Sequence, residues 1–162
     1  MVARATRSAS RKARLTEAVA TGPLGALSHD ELGVIVDGLA DPLQPVVAVA
    51  LSSTCLGLRT PLRAALEVLK ERHARAVALC RKVQMSCAEM RVAQMLVWRK
   101  ILTTDDMATL AMILQTNGLP RLRQLVLSFN VFRDAGMLAL CEALGHGAAP
   151  SLLGLFLGGN NL

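Results

Sequence analysis

The side chains able to do chemistry are few and scattered. His29, His73 and His146 are isolated, and no Cys/His pair has the spacing of a metal ligand set or of a nucleophile with its base. His73 falls on the stripe Leu62, Leu66, Leu69, His73, Val77 and Cys80, where a histidine satisfied at the core boundary is expected rather than a ligand. The neighbours Asp105 and Asp106, and His29 with Asp30, sit at helix starts, where acids cap. Gly145-x-Gly147 and Gly158-Gly159 have no Lys or Ser/Thr behind them to make a phosphate loop. No enzymatic activity, cofactor or metal is expected.

Cysteine and charge bound the remaining classes. Cys55, Cys80, Cys87 and Cys141 show no C-x-x-C spacing, so reduced, buried thiols in a cytoplasmic or nuclear protein are expected. The net charge of +6 is misleading, because Arg4, Arg7, Arg11, Lys12 and Arg14 all precede the first acid, Glu17. Thirteen bases then face twelve acids, and a nearly neutral body argues against nucleic acid as partner. The Arg- and Ser-rich start fits a disordered basic tail, with an organellar transit peptide or a nuclear-import signal as alternatives. No uncharged stretch is long and unbroken enough to span a membrane.

The elements come from a fixed period. Leu122-x-x-Leu125-x-Leu127-x-x-Asn130-x-Phe132 returns 30 residues later as Leu152-x-x-Leu155-x-Leu157-x-x-Asn160-x-Leu162. Thirty residues earlier lie Val92, Met95, Val97, Lys100 and Leu102, so a degenerate first copy with Lys in place of Asn is expected. Between the copies, Met107, Leu110, Ala111 and Leu114 share a helical stripe, as do Met137, Leu140, Cys141 and Leu144. Each unit reads as a short strand followed by a helix. The starts are marked by Thr103 with Asp106, a capping-box spacing, and by Asp134. The motif resembles a leucine-rich repeat, and the length resembles the ribonuclease-inhibitor type.

That resemblance implies a fold class of α/β: an all-α N-terminal segment followed by a short solenoid of strand–helix units with a parallel sheet. The marked leucines would face the core, and each Asn would turn inward to bond backbone groups leaving the ladder. By the 30-residue step, Leu96, Val126 and Phe156 fall in one row on the concave side, with Trp98, Ser128 and Gly158 in the next. Such a row is a candidate partner-binding stripe. For Trp98 the competing reading is that it packs against the preceding helices.

Before the repeats, Leu27-Ser28-His29-Asp30-Glu31-Leu32 is a dense helix start: Ser28 and Glu31 form a capping box, and Leu27 and Leu32 are placed as a hydrophobic staple. That helix runs through Ile35 and Leu39 to Asp41-Pro42. An apolar segment follows at Val46 to Leu51, and Thr60-Pro61 opens another helix. With Ala50-Leu51-Ser52-Ser53-Thr54-Cys55-x-x-Leu58-Arg59, the pattern resembles an F-box, although Ser28 stands where the family has Pro. The resemblance implies that Leu27, Glu31, Leu32, Ile35, Leu39 and Val47 lie on or support the face that docks a ligase adaptor. The expected organisation is a basic tail over 1–22, a helical F-box-like domain over 23–90, and three repeats over 91–162.

Together the resemblances imply a protein-binding chain, the substrate receptor of a cullin-type ubiquitin ligase. A plain repeat scaffold or inhibitor with a helical cap is the alternative. The third repeat stops at its strand-to-helix turn, so either a longer natural protein or a truncated gene product is expected.

Overall fold

The computed structural model describes residues 27–54 and 62–160. The basic tail, the Cys55-x-x-Leu58-Arg59 end of the F-box-like pattern, Thr60-Pro61 and Leu162 lie outside them. Six helices and a three-stranded parallel sheet are described: α1 His29–Leu39, α2 Val46–Thr54, α3 Arg63–Lys82, α4 Cys87–Val92, β1 Met95–Val97, α5 Thr104–Gln115, β2 Gln124–Val126, α6 Arg133–Gly145 and β3 Gly154–Phe156. The strands run in sequence order, with a helix between each pair.

The chain divides into two compact units. One holds α1, α2 and α3 up to Glu67; the other holds Ala40–Pro45 and everything described from Val68 onward. The expected boundary after residue 90 therefore does not coincide with a division of the core. Most of α3 and all of α4 belong with the strands, because Ala76, Leu79, Cys80 and Met90 share one core with Leu96, Trp98 and Leu102.

In the first unit, the capping box starts α1. Ser28 N donates to Glu31 Oε2 at 2.8 Å, and Glu31 N donates to Ser28 Oγ at 3.2 Å. Its core is Leu32, Val36 and Leu62, with Leu27, Leu51, Ala65 and Leu66 packed against it.

In the second unit, three helices end the same way. After α3, Met85 N bonds Cys80 O and Gln84 N bonds Arg81 O; after α5, Gly118 N bonds Ile113 O; after α6, Ala148 N bonds Ala143 O. This is the Schellman closure, and its left-handed residues are Gln84, Asn117 and Gly147. The helix starts differ more. α4 carries a full capping box from Ser86 and Glu89. At α5, Asp106 Oδ2 accepts from both N and Oγ1 of Thr103 at 2.7 Å. At α6 no side chain caps, so Asp134 lies in the first turn without the capping role expected of it. The helices α5 and α6 approach closely at Gly136, where a Cβ would come within 2.8 Å of Phe132 Cβ and 3.1 Å of Met107 Cβ.

The caps carry a pH dependence. Hydrogen bonds from Ser28 and Ser86, backbone first and then hydroxyl, hold the Glu31 and Glu89 carboxyls below their ordinary value. Burial pushes Asp106 up, but hydrogen bonds from Lys82 and Thr103 outweigh it and leave Asp106 low. A carboxyl depressed in the folded state contributes stability above its unfolded value, near 4, and loses it as pH falls through the folded value. Thermal melts are therefore expected at lower temperature at pH 3 than at pH 7, and the gap should narrow in the Glu89→Gln, Asp106→Asn double variant. An unchanged gap in that variant would remove the caps of α4 and α5 as its source.

Candidate binding surfaces

The sheet register corrects the expected face of the first strand. Leu96 pairs with Leu125 and Leu155, while Val97 pairs with Val126 and Phe156. The step from β1 to β2 is 29 residues and that from β2 to β3 is 30. Side chains alternate along a strand, so a slip of one residue exchanges the two faces. Leu96 and Trp98, expected on the concave side, are 1% and 4% exposed and belong to the core. Met95 and Val97, expected inside, are 54% and 49% exposed.

The turn shows where the extra residue enters. The left-handed residues are Lys100, Phe129 and Gly159, so Ile101, not Lys100, takes the place of Asn130 and Asn160. Leu102 and Phe132 are both fully buried 30 apart, which leaves exposed Val131 as the residue with no counterpart in the first unit. From there on, the 30-residue equivalence holds through the helices. Cys141 is an exception in burial: it is exposed, whereas its counterpart Ala111 is buried.

Each asparagine clamps the preceding turn. Asn130, 2% exposed, accepts at Oδ1 from Ile101 N and Leu102 N, both at 2.9 Å. Its Nδ2 donates to Trp98 O and Leu127 O, both at 2.8 Å. Asn160 repeats this one unit on, accepting from Asn130 N at 2.7 Å and donating to Leu127 O and Leu157 O. Leu122, Leu125 and Leu127 are fully buried; Leu152, Leu155 and Leu157 are partly buried against the same core.

The face turned away from the helices carries Val97, Val126 and Phe156 in one row. Met95 lies beside it, paired with Gln124. Phe129, 55% exposed, extends the apolar surface into the turn, where its ring lies over Gly159, which has φ of +77° and no room for a Cβ. Ser128 follows Leu127 and is half-buried. Met95, Val97 and Phe129 were not among the residues expected here, because four consecutive apolar residues, Met95 to Trp98, conceal which parity faces out.

The F-box-like residues separate by burial. Leu32 is buried, and Leu27 packs on the same small core. Glu31 is exposed but engaged in its cap with Ser28. Ile35 is half-buried, while Leu39 and Val47 are exposed.

Little else is placed for chemistry. His73 Nδ1 lies 2.7 Å from the Pro42 carbonyl, which can only accept, so the ring donates there. Arg91 Nε meets Asp41 Oδ2 at 2.5 Å. An open cleft of about 410 Å³ between α3 and α5 is lined by Arg75, Lys82, Asp105 and Asp106, but Lys82 and Asp106 already pair with each other. Among the described residues no group of three His, Cys, Asp or Glu could hold a metal ion, and no helix is long and apolar enough to cross a membrane. No known protein family, curated protein or solved structure matches the chain.

Proposed function

We propose that the chain is a non-enzymatic protein-binding scaffold whose strand–helix units are leucine-rich repeats, and that its N-terminal helices are F-box-like, making it a substrate receptor of a cullin-type ubiquitin ligase. The observation that carries the scaffold reading is the apolar row Val97, Val126 and Phe156 across three strands, exposed or half-exposed and bordered by Met95 and Phe129. An exposed apolar stripe on a sheet marks an interaction surface. The repeating asparagine clamp and the 30-residue strand–helix period support the repeat reading.

The charges around the row state what it would take. Residues 93–102, 118–131 and 148–160, which hold the strands and their turns, contain Arg99, Lys100, Arg121 and Arg123 and no Asp or Glu. All four cations are exposed, and the ion pairs Lys82–Asp106 and Arg91–Asp41 do not use them. The partner is therefore an extended segment with apolar side chains among acidic ones. The more specific receptor role rests on the F-box resemblance and on the exposure of Leu39 and Val47, with Ile35 half-buried.

Two arms of one binding experiment test these readings on the full chain. Peptides of interleaved apolar and acidic residues should bind, and Val97→Asp with Phe156→Asp should weaken them at least about ten-fold. Equal binding of lysine-substituted peptides would sink the assignment of the row. Purified ligase adaptor should bind the wild type and be lost with Ile35→Asp plus Val47→Asp. Leu32 is unsuitable for this arm because it is buried. A folded wild type that ignores the adaptor leaves the plain scaffold or inhibitor.

A further inference from the structure

We infer that Cys80 and Cys87 form a reversible oxidation site, closing to a disulfide between the last turn of α3 and the first turn of α4 when a peroxide reaches the protein. Their Sγ atoms stand 3.4 Å apart, in contact but unbonded. A disulfide needs about 2.05 Å, so a modest side-chain rotation separates the two states. The backbone on both sides holds the pair in place without any help from the sulfurs. Cys80 O accepts from Met85 N at 2.9 Å in the closure of α3. The Ser86–Glu89 capping box fixes the start of α4 immediately before Cys87.

The two thiols are unlike, and the difference orders the chemistry. Cys80 is 2% exposed, and its thiol is pushed up to about 12, by burial first and then by its contact with Cys87. Its S–H also donates to Met90 Sδ at 3.8 Å. Cys87 is half-buried and is the sulfur a small oxidant can reach. The Cys87 thiolate attacks one peroxide oxygen and the O–O bond breaks, giving a sulfenic acid and, after protonation, water. Cys80 Sγ then attacks Cys87 Sγ; the S–S bond forms, the S–O bond breaks, and the hydroxyl leaves as a second water with the Cys80 proton. Two thiols lose two electrons, and one peroxide becomes two waters. Burial shields Cys80 from the oxidant, and its proximity intercepts the sulfenic acid before further oxidation.

Peptide mapping of the full chain tests this directly. After hydrogen peroxide, alkylation and tryptic digestion without reductant, Cys80 falls in peptide 76–81 and Cys87 in peptide 83–91. The expected main product is the linked pair, about 2 Da lighter than the two free peptides together and released by dithiothreitol. Cys87→Ser should abolish it, and in the Cys80→Ser variant dimedone should trap the sulfenic acid on Cys87. Recovery of both peptides alkylated while exposed Cys141 is oxidised would overturn the site, as would linkage mainly to other cysteines. The wild-type map decides the matter whether or not the variants fold.

Discussion

An Asn130→Ala variant should be about 4 kcal/mol less stable than the wild type in urea unfolding. The removed carboxamide leaves two N–H groups, of Ile101 and Leu102, without their acceptor, and two carbonyls, of Trp98 and Leu127, without its donations. Each buried group stripped of its partner costs about 1–3 kcal/mol, and the sum falls short of four full penalties because Leu127 O keeps its donation from Asn160 and water can enter the emptied turn. Asn130→Asp should fare little better. It keeps the acceptor for Ile101 and Leu102, loses both donations, and buries a charge. A loss below about 1 kcal/mol for the alanine variant would mean that the clamp is incidental to the fold.

Trp98→Ala should cost about 3–5 kcal/mol, whereas Val97→Ala should cost under about 1 kcal/mol. Trp98 is buried with Leu96 and Leu102 in the main core, and its removal leaves a large void there. Val97 is half exposed on the opposite face and loses little on truncation. The contrast reads out the strand register in solution. Comparable losses, or the reverse order, would mean that β1 pairs one residue away from the alignment Leu96 with Leu125. If the expected order holds, binding assays on Trp98 variants report instability rather than a lost contact.

The sequence was legible where residue chemistry alternates and illegible where it does not. In Leu122-x-x-Leu125-x-Leu127, polar Arg123 and Gln124 break the apolar run, so the core parity of β2 could be read directly. Around β1 the run Met95-Leu96-Val97-Trp98 satisfies either parity, and the longer period then drew the first copy one residue out of line. The added residue at Val131 lies in a turn, where hydrophobic patterning carries no signal. Caps were legible when a polar side chain accepts from the backbone, as at Ser28. They were not at α6, which starts without one. The close sulfurs of Cys80 and Cys87 were equally hidden, because their contact depends on how α3 closes at Gln84.

The asparagine clamp gives the array a direction in time. Asn130 completes the turn at Ile101 and Leu102, and Asn160 serves the next turn through Asn130 N, so each unit is finished by a residue roughly one period downstream. During synthesis the first turn has its acceptor only after about 30 more residues have emerged. Until then its amide groups remain exposed to water. Shortening the chain from its C-terminal side would therefore weaken the unit that remains as well as remove the one deleted. Shortening it from the other side would leave the surviving turns supplied.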